Sequence, residues 1–97
     1  MATTTTILRK RVERGCMLLD TRSAFNPPWD TRIDCDILEI ADSTHCIFGQ
    51  LYGSFTRGKR VLCLEDEDVT ACGFLGKRAD IPRLNTLWET AINARMH

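Results

Sequence analysis

The sequence predicts a mainly α fold: a single small domain of three to four short helices, with room for a short strand or extended connector. Three observations lead there. Towards the end of the chain, Ile81, Leu84, Leu87, Trp88, Ala91 and Ile92 recur at the spacing of one helix face. In the middle, Ile47, Leu51 and Phe55 stand four apart, with Phe48 and Tyr52 in the adjoining row. The segment that best resembles a strand, residues 33–40, has no strong second strand to pair with except residues 60–64.

The 97 residues fit one domain, spanning 1–97, with residues 1–5 expected to be flexible. A composition of 43% hydrophobic and 27% charged residues is ordinary for a globular domain. Thirteen basic side chains balance thirteen acidic ones, so net charge makes no case for nucleic acid. No apolar run approaches the roughly 20 residues of a membrane span. Met1 to Thr6 lead into charged residues, so no signal peptide is expected. The five cysteines are odd in number and form no Cys-x-x-Cys pair. They read as reduced thiols, with Cys46, Cys63 and Cys72 acting as small hydrophobes.

Each element has a local reason. Residues 6–20 read as a helix in which Ile7, Leu8, Val12, Cys16, Met17, Leu18 and Leu19 give an irregular apolar stripe and Arg9, Lys10, Arg11, Glu13 and Arg14 fill the outer face. Gly15 is expected to divide it into a basic arm and a core-facing turn. Residues 21–32 form a polar connection that Pro27 and Pro28 keep out of helix, and Trp29 is expected to dock on the core and pin it. Residues 33–40 suit a short helix or extended connector better than a paired strand. Asp42, Ser43 and Thr44 signal a helix start, and a central helix is expected over residues 44–58. Gly49 and Gly53 lie four apart in it and imply close packing against bare backbone. Glu65, Asp66, Glu67 and Asp68 favour a short acid-capped helix ending at Gly73. Asp80 and Pro82 start a last helix expected over residues 80–95, packed with the first helix against the central one.

No chemical motif rises above background. Cys35, His45, Cys46, Cys63 and Cys72 are soft ligands, but adjacent His45 and Cys46 make poor geometry for one zinc ion. The same two residues point about 100° apart on a helix, which does not suit a nucleophile and its base. Asp34, Asp36 and Glu39 read as a solvated, capping face. No catalytic residue, metal or cofactor is therefore expected, and the chain does not read as an enzyme. Three basic clusters remain: Arg9, Lys10, Arg11 and Arg14; Arg57, Lys59 and Arg60; and Lys77, Arg78 and Arg83. Phe74 and Leu75, between Gly73 and Gly76, are the best loop-borne apolar pair for a protein interface.

The order Gly15 to Leu19, Trp29 with Arg32-Ile33-Asp34, Leu38, the run Cys46-Ile47-Phe48-Gly49-Gln50-Leu51-Tyr52-Gly53, Gly73-Phe74, Leu84 and Trp88 resembles a group of small uncharacterised proteins encoded by phages of mycobacteria and related actinobacteria. The resemblance covers roughly residues 15–92, and the intact Cys-x-x-Gly-Gln-Leu-Tyr-Gly run is its most specific part. The basic N-terminal segment and the acidic run at residues 65–68 are less typical of the group. The group carries no assigned activity, so no site residue follows from the resemblance. It implies a phage accessory protein acting in the host bacterial cytoplasm, in some cases by host takeover. The expected function is binding of a host or phage protein, as monomer or homodimer and away from membranes. Phe74, Leu75, Arg9, Lys10 and Arg11 are the candidate partner-binding residues. The alternative is a small DNA-binding regulator using the basic N-terminal segment.

Overall fold

A computed structural model describes residues 3–95. The described residues form five α-helices and two short 3-10 turns, without a β-strand. The mainly α class holds in a different detail: the first helix is long, and the central one is split. The helices are α1 (Thr4–Arg22), α2 (Ile47–Tyr52), α3 (Phe55–Val61), α4 (Asp66–Ala71) and α5 (Ile81–Arg95), with 3-10 turns at Trp29–Arg32 and Arg78–Asp80.

α1 starts earlier than its apolar pattern suggested. The Thr3 side chain accepts a hydrogen bond from the Thr6 amide at 3.2 Å, which caps the helix. Of the residues expected to be flexible, Thr3, Thr4 and Thr5 thus stand as a cap and first turn, while Met1 and Ala2 lie outside the described residues. Gly15 does not divide α1, which runs unbroken to Arg22. The reason for this glycine is closeness: a methyl group there would stand 2.3 Å from the Cys72 carbonyl oxygen and 2.7 Å from Cη2 of Trp88.

α1 and α5 lie side by side and run in the same direction. Leu8 and Arg11 share a groove with Lys77 and Asp80. Gly15 meets Trp88, and Asp20 meets Arg95. The two helix N-termini therefore share one end of the molecule.

The expected helix over residues 44–58 is two helices meeting at Gly53. Gly53 has φ +97° and nothing within 4 Å of where a Cβ would stand, so it serves as a left-handed cap rather than a packing surface. Gly49 does meet backbone, with the Thr44 carbonyl carbon 2.4 Å from a Cβ there. Cys46 caps α2, its sulfur accepting from the Gly49 amide at 3.3 Å. Gln50 holds the preceding loop. Its Oε1 accepts from the Asp34 amide at 2.7 Å, and its Nε2 donates to the Asp34 and His45 carbonyls. The most distinctive run of the chain is thus a folding device. Residues 33–40 are turns and extended connector, tied to α5 where Asn85 accepts from the Ile40 amide and donates to Glu39.

One core unites these parts. All seven aromatic side chains of the sequence form a continuous chain through it. Trp29 meets Trp88 edge-on at 6.2 Å, Trp88 stacks on Phe74 at 5.2 Å, and Phe74 lies 4.3 Å from Phe48. Phe48 continues to Phe55 and Tyr52, and Tyr52 to Phe25. Trp29 is buried, as its expected docking requires, and its indole N–H donates to Asp20 at 2.9 Å.

Candidate docking surface

The shared N-terminal end of α1 and α5 gathers the first and third basic clusters. Arg9, Lys10 and Arg11 stand on the second and third turns of α1, while Lys77, Arg78 and Arg83 surround the start of α5. None of these six side chains makes a hydrogen bond or ion pair with another described residue, whereas Lys59 pairs with Asp66 and Arg95 with Asp20 and Asp30. Helix N-termini carry partial positive charge. Neither α1 nor α5 places an acidic residue in its first turn, while Arg22 and Arg95 complement their C-terminal ends. Two parallel dipoles and six cations thus leave this end positive, with Asp80 the acidic residue closest to the α5 start. The second cluster lies elsewhere. The Leu62 carbonyl, just beyond α3, accepts from Arg22 at the opposite end of α1.

The five residues singled out for partner binding separate into two groups. Arg9 and Lys10 are exposed and Arg11 half-buried, all on one stretch of α1. Phe74 is corrected: it is 2% exposed and lies between Phe48 and Trp88, because the turn at Gly73 folds it inward onto the aromatic chain. Leu75 remains exposed at 38%. Its loop is fixed at both sides, with Gly73 against the backbone of Arg11 and Val12, and Gly76 against Leu84 and Asp80. Leu75 is thereby brought to the basic end. Ile7, 43% exposed, joins it there. Sequence reading missed Ile7 because it falls within the apolar stripe of α1, where an inward direction is the natural inference.

A groove of about 270 Å³ opens at this end, lined by Thr4, Ile7, Leu8, Arg11, Lys77 and Asp80. The larger cleft beside Trp29, of about 370 Å³, is lined by groups that already satisfy one another. Arg95 Nε donates to Asp30 at 2.9 Å, its terminal nitrogen pairs with Asp20, and its guanidinium sits 5.2 Å above the Trp29 ring. That arrangement clamps the end of α5 to the proline-containing loop.

Asp42, His45 and the buried cysteines are engaged in structure. Asp42 accepts from the Thr44 amide and hydroxyl at 2.8 Å and pairs with His45 Nδ1 at 3.0 Å. The His45 hydrogen bond, then those from Thr44, hold the Asp42 carboxyl well below the usual carboxylate range. The sulfur of Cys46 faces Gly49 and the Ser43 carbonyl. Burial pushes the Cys16 thiol up to about 11, and burial also raises Cys46, Cys72 and Cys35. All five cysteines are unpaired with one another. Among the described residues no group of three or more His, Cys, Asp or Glu side chains is placed to hold a metal ion. No helix there is long and apolar enough to cross a membrane.

Comparison of the chain with protein-family models, curated proteins and solved structures found no match.

Proposed function

We propose that this chain is a small non-enzymatic phage accessory protein that binds a host or phage protein in the host bacterial cytoplasm. The observation that carries the binding role is the basic end. Six cationic side chains without an intramolecular partner among the described residues stand near the starts of α1 and α5, and two of them, Arg11 and Lys77, share a groove with exposed Ile7. Cations beside exposed apolar side chains suit a partner of opposite charge, which complementary potential would steer and orient. The phage setting rests on the resemblance carried by the Cys46 to Gly53 run. Phe74 has no part in this reading, whereas Arg9, Lys10, Arg11 and Leu75 keep theirs.

The test is affinity capture from nuclease-treated bacterial lysate by the wild-type chain and by an Arg9→Ala/Lys10→Ala/Arg11→Ala variant. A protein retained by the first and lost by the second supports the role. Identical captures from both refute it. The same unpaired cations favour a second reading, a small DNA-binding regulator. Capture that disappears on nuclease treatment and weakens steeply with salt would favour it.

A further inference from the structure

We propose that the groove between the first turns of α1 and the turn ahead of α5 docks an acidic peptide segment bearing an apolar side chain. This deepens the protein-binding role above and rests on it. Thr4 lies three and four residues before Ile7 and Leu8, and Arg11 lies four and three after them, so the four form a single strip along one wall of the groove. Leu8, 1% exposed, supplies the floor, and Ile7 the exposed rim. Lys77 and Asp80 form the opposite wall. Arg11 and Lys77 thus bracket an apolar strip with two cations that form no ion pair among the described residues, among which Asp80 is the single carboxylate lining the groove.

Two features choose a peptide over a nucleic acid. A phosphate backbone would meet the cations but leave Ile7 and nearby Leu75 against polar groups. It would also bring its charge to the Asp80 carboxylate in the same groove. An acidic peptide presents separate carboxylates to Arg11 and Lys77 and an apolar side chain to Ile7 and Leu8. The free backbone N–H groups of its first helical turn suit Asp80.

The probe is a fluorescently labelled helical peptide with glutamates on one face and leucines on the next. Its leucine-to-serine counterpart and a labelled single-stranded oligothymidylate serve as comparisons. Anisotropy titrations use the full chain at low and physiological salt. The leucine peptide is expected to bind at least about tenfold more tightly than the serine peptide or the oligonucleotide. Ile7→Ser and, separately, Arg11→Glu/Lys77→Glu should each weaken it by at least about tenfold. Arg57→Glu/Arg60→Glu, on α3, should leave it within about twofold. Urea unfolding of each variant establishes that it is folded. Equal binding of the leucine and serine peptides, tighter binding of the oligonucleotide, or indifference to Ile7→Ser and Arg11→Glu/Lys77→Glu overturns the proposal. If a lysate protein still depends on Arg9, Lys10 and Arg11 while the peptides ignore Ile7 and Lys77, this groove is refuted and the binding role stands. If neither assay responds to the basic end, both fall.

Discussion

Trp88 closes over Gly15, and the contact leaves no room for a side chain on α1 at that point. A Cβ there would lie 2.7 and 2.8 Å from two carbons of the indole and 2.3 Å from the Cys72 carbonyl. The same indole donates its N–H to the Gly73 carbonyl at 2.7 Å, so Trp88 ties α5, the turn after α4 and the middle of α1 together. Gly15→Ala should therefore destabilise the chain, although alanine favours a helix by about 1 kcal/mol over glycine. Overpacking costs about 1–3 kcal/mol, and contact with backbone, which cannot rotate aside, favours the upper end. Urea unfolding at neutral pH measures the difference. A variant more stable than the wild type would refute the close approach.

Trp88→Ala should cost about 3–5 kcal/mol, a large share of what a domain of this size has. The indole is fully buried and lies against both Trp29 and Phe74. Trp88→Phe should recover part of the loss but leave the Gly73 carbonyl without its donor. In a Trp88→Ala background, Gly15→Ala should cost less than it does alone, because one of the two groups it strikes is gone. A strictly additive double variant would disconnect the two residues.

At Gly53 the cost of a side chain is conformational, not steric. Gly53→Ala and Gly53→Leu should destabilise similarly, by about 1–2 kcal/mol, since φ is positive and the space beyond is open. If leucine proves far worse than alanine in parallel unfolding curves, crowding governs the site after all.

Thiol labelling with a maleimide should rank the cysteines by exposure. Cys63, exposed after α3, should react first under native conditions. Cys16 and Cys46, buried and with raised pKa values, should react only as the molecule unfolds. Mass spectrometry of the labelled peptides over time reads the order, and early modification of Cys46 would contradict its place as the cap of α2.

Asp42 gives a pH dependence of definite sign. Its carboxyl is depressed in the folded state, by His45 first and then Thr44. The stability it contributes is therefore complete above its unfolded value of about 3.8 and declines as the pH falls from there through the folded value. Asp42→Asn should flatten the acid limb of a stability-against-pH curve. An unchanged limb in the variant would show that this loop contributes nothing to acid sensitivity.

Legibility followed range. The last helix announced itself because Leu84, Trp88 and Ile92 are local and periodic, and all three are fully buried. Docking of Trp29 was legible because a large indole beside two prolines has few other places to go. The break at Gly53 was not legible, since two glycines four apart fit a packed helix and a left-handed cap equally well. Phe74 beside a glycine reads the same whether its ring turns in or out, and only Phe48 and Trp88, distant in sequence, decide it. For the same reason the basic end was visible only as separate clusters. Joining Arg11 to Lys77 requires the direction of α5 relative to α1, which no local pattern carries.

That shared direction has a consequence for how the chain is made. The contacts that complete the core join residues up to 75 positions apart in order of synthesis, because Gly15 waits for Trp88 and Asp20 for Arg95. While a ribosome is still adding α2, α3 and α4, α1 exposes Leu8, Val12, Cys16 and Leu19 with no lasting cover. Closure of the two helices brings together ends separated by most of the chain, a non-local step that tends to slow folding. The cover of α1 therefore depends on α5, and premature termination within α5 would release a chain with α1 uncovered for chaperones and proteases to find.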